Sequence, residues 1–303
     1  MNLAVNNPNF SIVVPTGCNA ECDFCFWQES DSAKWGLEYL RALNDTLVAL
    51  PEEFKQCSIT GGEPTTSGML RDILILARLR FDKVVLTTNG YNLEAWMFEY
   101  VDHVNISRHH HDDYDNQAIF RTDTVPDSDI LTQLCEDANK AGVDVTINTV
   151  VSADFNDCGF LNRMIQFTKD VNANALCIRK QHGNIEDLPV ESNIPNKVSY
   201  EHSCGVCLIK ERLIDGMKTT WRYSVAEPSN ELGAIYELVF NQDCSITSDW
   251  AGNEEIHVLE VSNDWDEDEE MFEDADDEDT PIKTASFFGG GCGRVSSGGC
   301  GGF

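Results

Sequence analysis

NFSIVVPTGCNAECDFCFW, residues 9 to 27, joins two signals in one stretch. Phe10 to Val14 form a short apolar run rich in β-branched residues, bounded by Pro15 and Gly17, which reads as a buried strand. Directly after it come Cys18, Cys22 and Cys25, spaced C-x3-C-x2-C. Three thiols within eight residues are too close together for an ordinary disulfide framework. The stretch therefore reads as a strand that delivers thiols at its C-terminal end.

The same strand-then-loop pattern repeats along the chain. QCSIT leads into GGEP (61–64), KVVLTT ends in TTNG (87–90), and DHVNIS ends in SRHHHD (107–112). VDVTINTVV and ALCIRK supply a fifth and a sixth strand. Helical stripes fall between them. Leu37, Leu40, Leu43, Leu47 and Leu50 form the first, behind a Ser/Asp-rich start, and MLRDILILARLR forms the second. Ile130, Leu134 and Ala138 follow a cap at Asp127 or Ser128 and close at Gly142. Leu161, Met164, Ile165, Thr168 and Val171 form the last. Strands alternating with such helices mean βα units on a parallel sheet. The expected fold is α/β, a partial (β/α)6 TIM-type barrel whose functional groups gather at the C-terminal ends of the strands.

Three segments are expected: a core barrel over 1–190, a C-terminal extension over 191–262, and a tail over 263–303. GMKTTWRYSV, AIYELVFNQDCSITSDW and IHVLEVSN give the extension its β character. The tail carries twelve carboxylates and no base between residues 264 and 279, then ends in FFGGGCGRVSSGGCGGF. Self-repulsion and glycine content make it an expected disordered end.

The chain of 303 residues has 52 acidic and 21 basic residues and a net charge of −31. Nucleic acid is an unlikely partner, because phosphate binding needs basic surface. MNLAVNNPNF shows no basic n-region and no apolar run reaches membrane-spanning length, so a soluble, cytoplasmic protein is expected. Twelve cysteines in a reduced compartment point to metal ligation.

A site of four thiolates is coordinatively closed, whereas three thiolates on a cubane cluster leave one iron free. Structural zinc, the competing metal, wants four ligands. The three cysteines, Phe24 before the third of them, and Gly61-Gly62-Glu63-Pro64 together resemble the radical S-adenosylmethionine (SAM) superfamily over about residues 9 to 180. The nearest likeness is to its molybdenum-cofactor cyclase-like and peptide-modifying branches.

The resemblance implies that Cys18, Cys22 and Cys25 hold a [4Fe-4S] cluster whose open iron is chelated by S-adenosylmethionine. One electron then splits the sulfonium, and a 5′-deoxyadenosyl radical abstracts hydrogen from a substrate. Gly61, Gly62, Glu63, Asn89 and Ser107 are the expected contacts to S-adenosylmethionine. Asn148 and Arg179 occupy positions where relatives place ribose or carboxylate contacts. A turn residue with positive φ is the other reading of Asn89. Proton transfer or substrate binding is one reading of His109, His110 and His111, and a solvated loop is the other.

The expected substrate is a peptide or protein, with a nucleotide-like small molecule second. The expected electron donor is a flavodoxin or ferredoxin. Cys204, Cys207 and Cys244 are candidates for a second iron–sulfur cluster or a zinc ion, while Cys57, Cys135, Cys158 and Cys177 read as buried thiols. Cys292 and Cys300 in the tail are candidate ligands or redox thiols, and the tail itself resembles a modified peptide. Two readings of another class remain: an iron–sulfur electron carrier, and a zinc-binding regulatory protein.

Overall fold

The computed structural model describes residues 8–25, 27, 30–151, 159–180, 199–201, 207–224 and 237–248. Side chains at 180, 199–201, 207–212 and 222–224 are not among those described. The chain divides into two units, Met1–Glu260 and Val261–Phe303. Every described residue belongs to the first. The expectations for Cys158, Cys204, the acidic run, Cys292 and Cys300 lie outside the described residues.

Six strands run in parallel, in sequence order: β1 (Asn9–Val14), β2 (Gln56–Gly61), β3 (Lys83–Thr88), β4 (His103–Ser107), β5 (Asp144–Val151) and β6 (Ala175–Lys180). α1 (Gly36–Ala49), α2 (Leu70–Arg80), α3 (Asp113–Phe120), α4 (Ser128–Lys140) and α5 (Phe160–Asp170) lie in the connections. β1 does not pair with β6, so the barrel stays open. The later strands lengthen both edges of the sheet. β7 (Ser199–Glu201), β8 (Cys207–Ile214) and β9 (Met217–Ser224) follow β6, with β9 parallel to it. β10 (Glu237–Phe240) runs parallel to β1 and carries β11 (Ile246–Thr247) outside it.

The pleat sorts the side chains into two faces. Phe10, Ile12, Val14, Ile59, Leu86, Ile106, Ile147 and Ile178 point toward the helices and pack into one apolar cluster with Leu43, Leu47, Ile73, Leu74, Leu131, Leu161 and Met164. Parallel register places the intervening residues together on the other, inner face: Ser11 with Ser58, Thr87 with Asn105, Asn105 with Thr146, and Asn148 with Cys177. The core therefore sits between sheet and helices, and the inner face is mostly hydroxyl and amide. Cys57, Cys135 and Cys177 are buried, as expected.

Local details depart from the sequence reading in three places. Helix α1 begins after Trp35 with no side-chain cap, on Gly36 at φ 59°, and buries Tyr39 and Thr46 while Leu37 stays exposed. In α4 the cap is Asp127, whose Oδ1 accepts from the Ile130 N–H, but the buried stripe is Leu131, Cys135 and Ala138. Ile130 faces outward, one residue from the expected phase. Finally, α3 lies in a stretch to which the sequence reading assigned no element, capped by the Asp112 carboxylate accepting from the Asp115 N–H.

Candidate active site

The cysteine loop crosses the C-terminal ends of β1 to β3 and is tied down there. Gly17 carbonyl accepts from the Glu63 N–H at 3.0 Å. A Cβ on Gly62 would lie 2.5 Å from that carbonyl oxygen and 3.0 Å from the Trp27 ring, and one on Gly61 would lie 2.7 Å from the Val14 carbonyl. Both glycines are thus required by the approach of the first strand and its loop to the second. Asn19 accepts from Asn89 Nδ2 at 2.8 Å and donates to Thr124 Oγ1 at 2.7 Å.

Glu63 is buried, and its carboxylate is fully engaged. Oε1 accepts from Thr65 N (3.1 Å), Thr65 Oγ1 (2.7 Å) and Thr88 Oγ1 (2.6 Å), while Oε2 accepts from Asn89 N (2.6 Å). Burial raises its pKa, and these four donors oppose the rise. The carboxylate therefore joins the GGEP turn to the end of β3. Asn89 is not a positive-φ residue: Gly90 at 89° and Asn92 at 49° make that turn. Its Oδ1 accepts from the Tyr91 N–H at 2.9 Å, so the side chain bridges turn and cysteine loop.

Cys18 and Cys25 are exposed and Cys22 is partly buried; all three are free thiols. Burial, then the neighbouring thiols Cys25 and Cys18, push Cys22 up to about 12. Burial also raises Cys18. With no cation among the causes acting on either, the chain by itself keeps these thiols protonated, and a bound metal would supply the charge that deprotonates them. Among the described residues, His110, Asp112 and Asp115 form the one trio of His, Cys, Asp or Glu ligand atoms lying within 4.8 Å of one another. Three thiols at this spacing suit a cluster that leaves one iron free, whereas structural zinc wants a fourth ligand.

Among the described residues, buried polar atoms without a hydrogen-bond partner include Trp27 Nε1 in the cysteine loop, Asn148 Oδ1 on β5, Arg179 Nε on β6 and His111 Nδ1 after β4. A buried orphan costs about 1–3 kcal/mol. The open acceptor of Asn148 and the open donors of Trp27 and Arg179 are the kinds of group that a zwitterionic, hydroxylated ligand would satisfy. Ser107 faces Asn148 in the β4–β5 register, and Arg179 faces Val150 across β5–β6. The residues present therefore fit both a three-thiolate cluster and a zwitterionic, hydroxylated ligand.

The histidines do not form an open proton relay. His109 is buried, with Nδ1 accepting from the Val150 N–H at 3.1 Å, and desolvation lowers its pKa to about 3. His110 is also buried, and burial lowers both His110 and His111. Arg108 holds the segment. Its guanidinium is 2% exposed, donates to the carbonyls of His110, His111 and Pro126 and to Asp113, and lies 4.6 Å from the Phe167 ring centroid. Of the proposed auxiliary ligands, Cys244 lies in the β10–β11 turn at φ 69° and Cys207 starts β8 near the other end of the strand order.

Residues 12–164, half of the chain, match the Radical SAM superfamily. The chain belongs to that superfamily. Its members are enzymes that use a [4Fe-4S] cluster and S-adenosylmethionine. A probable GTP 3′,8-cyclase of Thermoplasma volcanium is 32% identical over 154 residues, 48% of this chain and 45% of the relative. A putative glycyl-radical enzyme activating enzyme of Methanocaldococcus jannaschii is 26% identical over 156 residues, 50% of this chain and 59% of the relative. The chain thus spans about half the length of these curated radical SAM relatives. Among solved structures, Streptococcus suis SuiB bound to precursor peptide SuiA is similar with TM-score 0.48 and 19% identity, covering 58% of this chain and 40% of that one.

Trp27 carries no role in the sequence alone; its signal there is an aromatic residue two positions after Cys25.

Proposed function

We propose that this radical SAM enzyme removes hydrogen from a polar substrate of low charge, a peptide or protein, using a reduced flavodoxin or ferredoxin as its electron source. Cys18, Cys22 and Cys25 would hold the cluster. Gly61 and Gly62 would keep the GGEP turn close to the cysteine loop, and Glu63 would lock that turn to Asn89. Ser107, Asn148, Arg179 and Trp27 would bind S-adenosylmethionine. When bound, the cluster and S-adenosylmethionine supply a one-electron reductive cleavage that yields a hydrogen-abstracting radical. The residues of this chain orient both groups and shield them from water.

The observation that carries the substrate class is the inner face. From the level of Ser11, Ser58, Val85 and His103 upward, the strands β1 to β5 place no lysine or arginine on it. Among the described side chains at that level and above, the cations on this face are Arg179 of β6 and Lys218 of β9, which register sets beside Ala175. A nucleoside triphosphate needs several cations or a bound metal to offset its charge. Hydroxyls and amides instead suit the alternating donors and acceptors of a peptide chain.

Residues 191–262 are proposed to act as the substrate-side extension of the 1–190 core, with Cys204, Cys207 and Cys244 open to a second metal site, and 263–303 as the tail. No described helix is long and apolar enough to cross a membrane; we place the protein in the cytoplasm.

The test is anaerobic reconstitution with iron and sulfide, followed by dithionite and S-adenosylmethionine. 5′-Deoxyadenosine is the expected product. A loaded cluster that neither binds nor cleaves S-adenosylmethionine would leave an electron carrier. Titration of the loaded protein with GTP should give no binding heat; tight GTP binding would move the substrate to the nucleotide class. Asn148→Ala should weaken S-adenosylmethionine binding about tenfold, close to 1.4 kcal/mol, with the melting temperature unchanged.

A further inference from the structure

Helix α3, the turn after it and His109 take no part in the chemistry above, yet four separate contacts run from them to the cysteine loop. The Glu21 N–H donates to the Phe120 carbonyl at 3.0 Å. Asn19 Nδ2 donates to Thr124 Oγ1 at 2.7 Å. Asp23 pairs with Arg121. The Phe24 ring meets the His109 ring edge to face, centroids 4.8 Å apart at 84°, and His109 lies in turn 4.7 Å from Phe120. Each contact falls between two of the three cysteines, and Phe24 immediately precedes Cys25.

His109 is the fixed point of this set. Its backbone N–H donates to Asn116 Oδ1 on α3 at 2.9 Å, and its Nδ1 takes the Val150 N–H of β5 at 3.1 Å. The ring is thus held by the sheet on one side and by α3 on the other. Within the loop itself, among the described residues, the backbone bond is Cys25 N–H to the Cys22 carbonyl at 3.0 Å. The GGEP turn steadies the loop at Gly17 and, through Asn89, at Asn19; beyond Asn19, the contacts from α3 and His109 hold the Glu21–Phe24 stretch, which contains the second thiol and leads into the third.

We propose that His109, with the C-terminal turn of α3, is a positioning bracket for the cluster loop, transmitting the rigidity of β4 and β5 through Phe24 to the Cys22–Cys25 segment. The proposal rests on the three-cysteine cluster of the preceding reading. Outer contacts that orient metal ligands set affinity and potential as strongly as some ligands do, and their loss costs about 10–100-fold in metal affinity. His109 is a positioning residue that acts through Phe24.

The test uses the full chain, reconstituted anaerobically, with two readouts besides turnover: the rate at which a chelator strips iron, and the electron paramagnetic resonance line shape of the reduced cluster. His109→Ala should lose iron about tenfold faster than wild type and show a broadened signal. His109→Phe, which keeps the aromatic contact but not the acceptor for the Val150 N–H, should restore most of the retention and the line shape. Arg121→Asn covers the case in which His109→Ala fails to fold. Arg121 is half exposed at a left-handed φ of 55° that asparagine accepts, and its loss should shift both readouts in the same direction. Stripping rates and spectra equal to wild type in His109→Ala and Arg121→Asn would overturn the bracket. So would a His109→Phe variant as labile as His109→Ala. Wild-type chain that takes up no cluster would instead remove the underlying cluster reading, and the bracket with it.

Discussion

Burial lowers the His109 pKa from 6.5 to about 3, and this makes one ring a determinant of acid stability. As pH falls through 6.5 the unfolded chain takes up a proton there and the folded chain does not, so the unfolded state binds more protons and native stability drops. The loss grows between pH 6.5 and about 3 and reaches about 1.4 kcal/mol one unit below 6.5. Urea unfolding at pH 7.5 and 5.5 should show His109→Phe losing about 1.4 kcal/mol less than wild type over that interval. Gly62 gives a second prediction at this scale. Gly62→Ala drives a Cβ into the Gly17 carbonyl and should cost about 1–3 kcal/mol and impair cluster loading, whereas Gly68→Ala, with open space around it, should change neither. Calorimetry and iron counting on both variants check this. Motif chemistry made Cys18, Cys22, Cys25 and the GGEP turn legible from sequence. The burial of His109 was not, because three consecutive histidines carry no periodicity to show which of them faces the interior.

The SRHHHD segment is held as a unit by Arg108, a buried cation that joins three carbonyls, Asp113 and the Phe167 ring. Arg108→Met should destabilise the protein by about 3 kcal/mol, the low end for breaking a buried pair, because Asp113 is itself 40% exposed. The lost cooperativity should appear first as hydrogen exchange in α3. Strands were easy to read because their apolar runs ended in turn residues. Helix existence was equally clear, but helix phase was not. In α4 the exposed Ile130 and the buried Leu131 are equally apolar, so only packing against the sheet separates them. Helix α3 is short and weakly patterned, and its signal was the Asp112 cap rather than any stripe.

Over the whole molecule, the parallel order of β1 to β6 follows from the βα alternation, but the flanking strands do not. β10 pairs with β1 across more than 220 residues of chain, and no local pattern announces such a partner. Asn9 Nδ2 and Ser11 Oγ both donate to Glu237 Oε1, at 2.8 and 2.5 Å, which fixes that edge. A chain ending at Ser224 should therefore expose β1 as an open edge and aggregate. A chain ending at Glu260 keeps β10 and β11 and should melt as the full protein does. Size-exclusion chromatography and thermal melts would distinguish the two.

The division of the sheet into an apolar face toward the helices and a polar face away from them separates two selective pressures. Packing constrains one set of positions, and recognition constrains the alternate set. Thr87 and Asn105 lie outside the apolar cluster, so substitutions there should change recognition at little cost in stability.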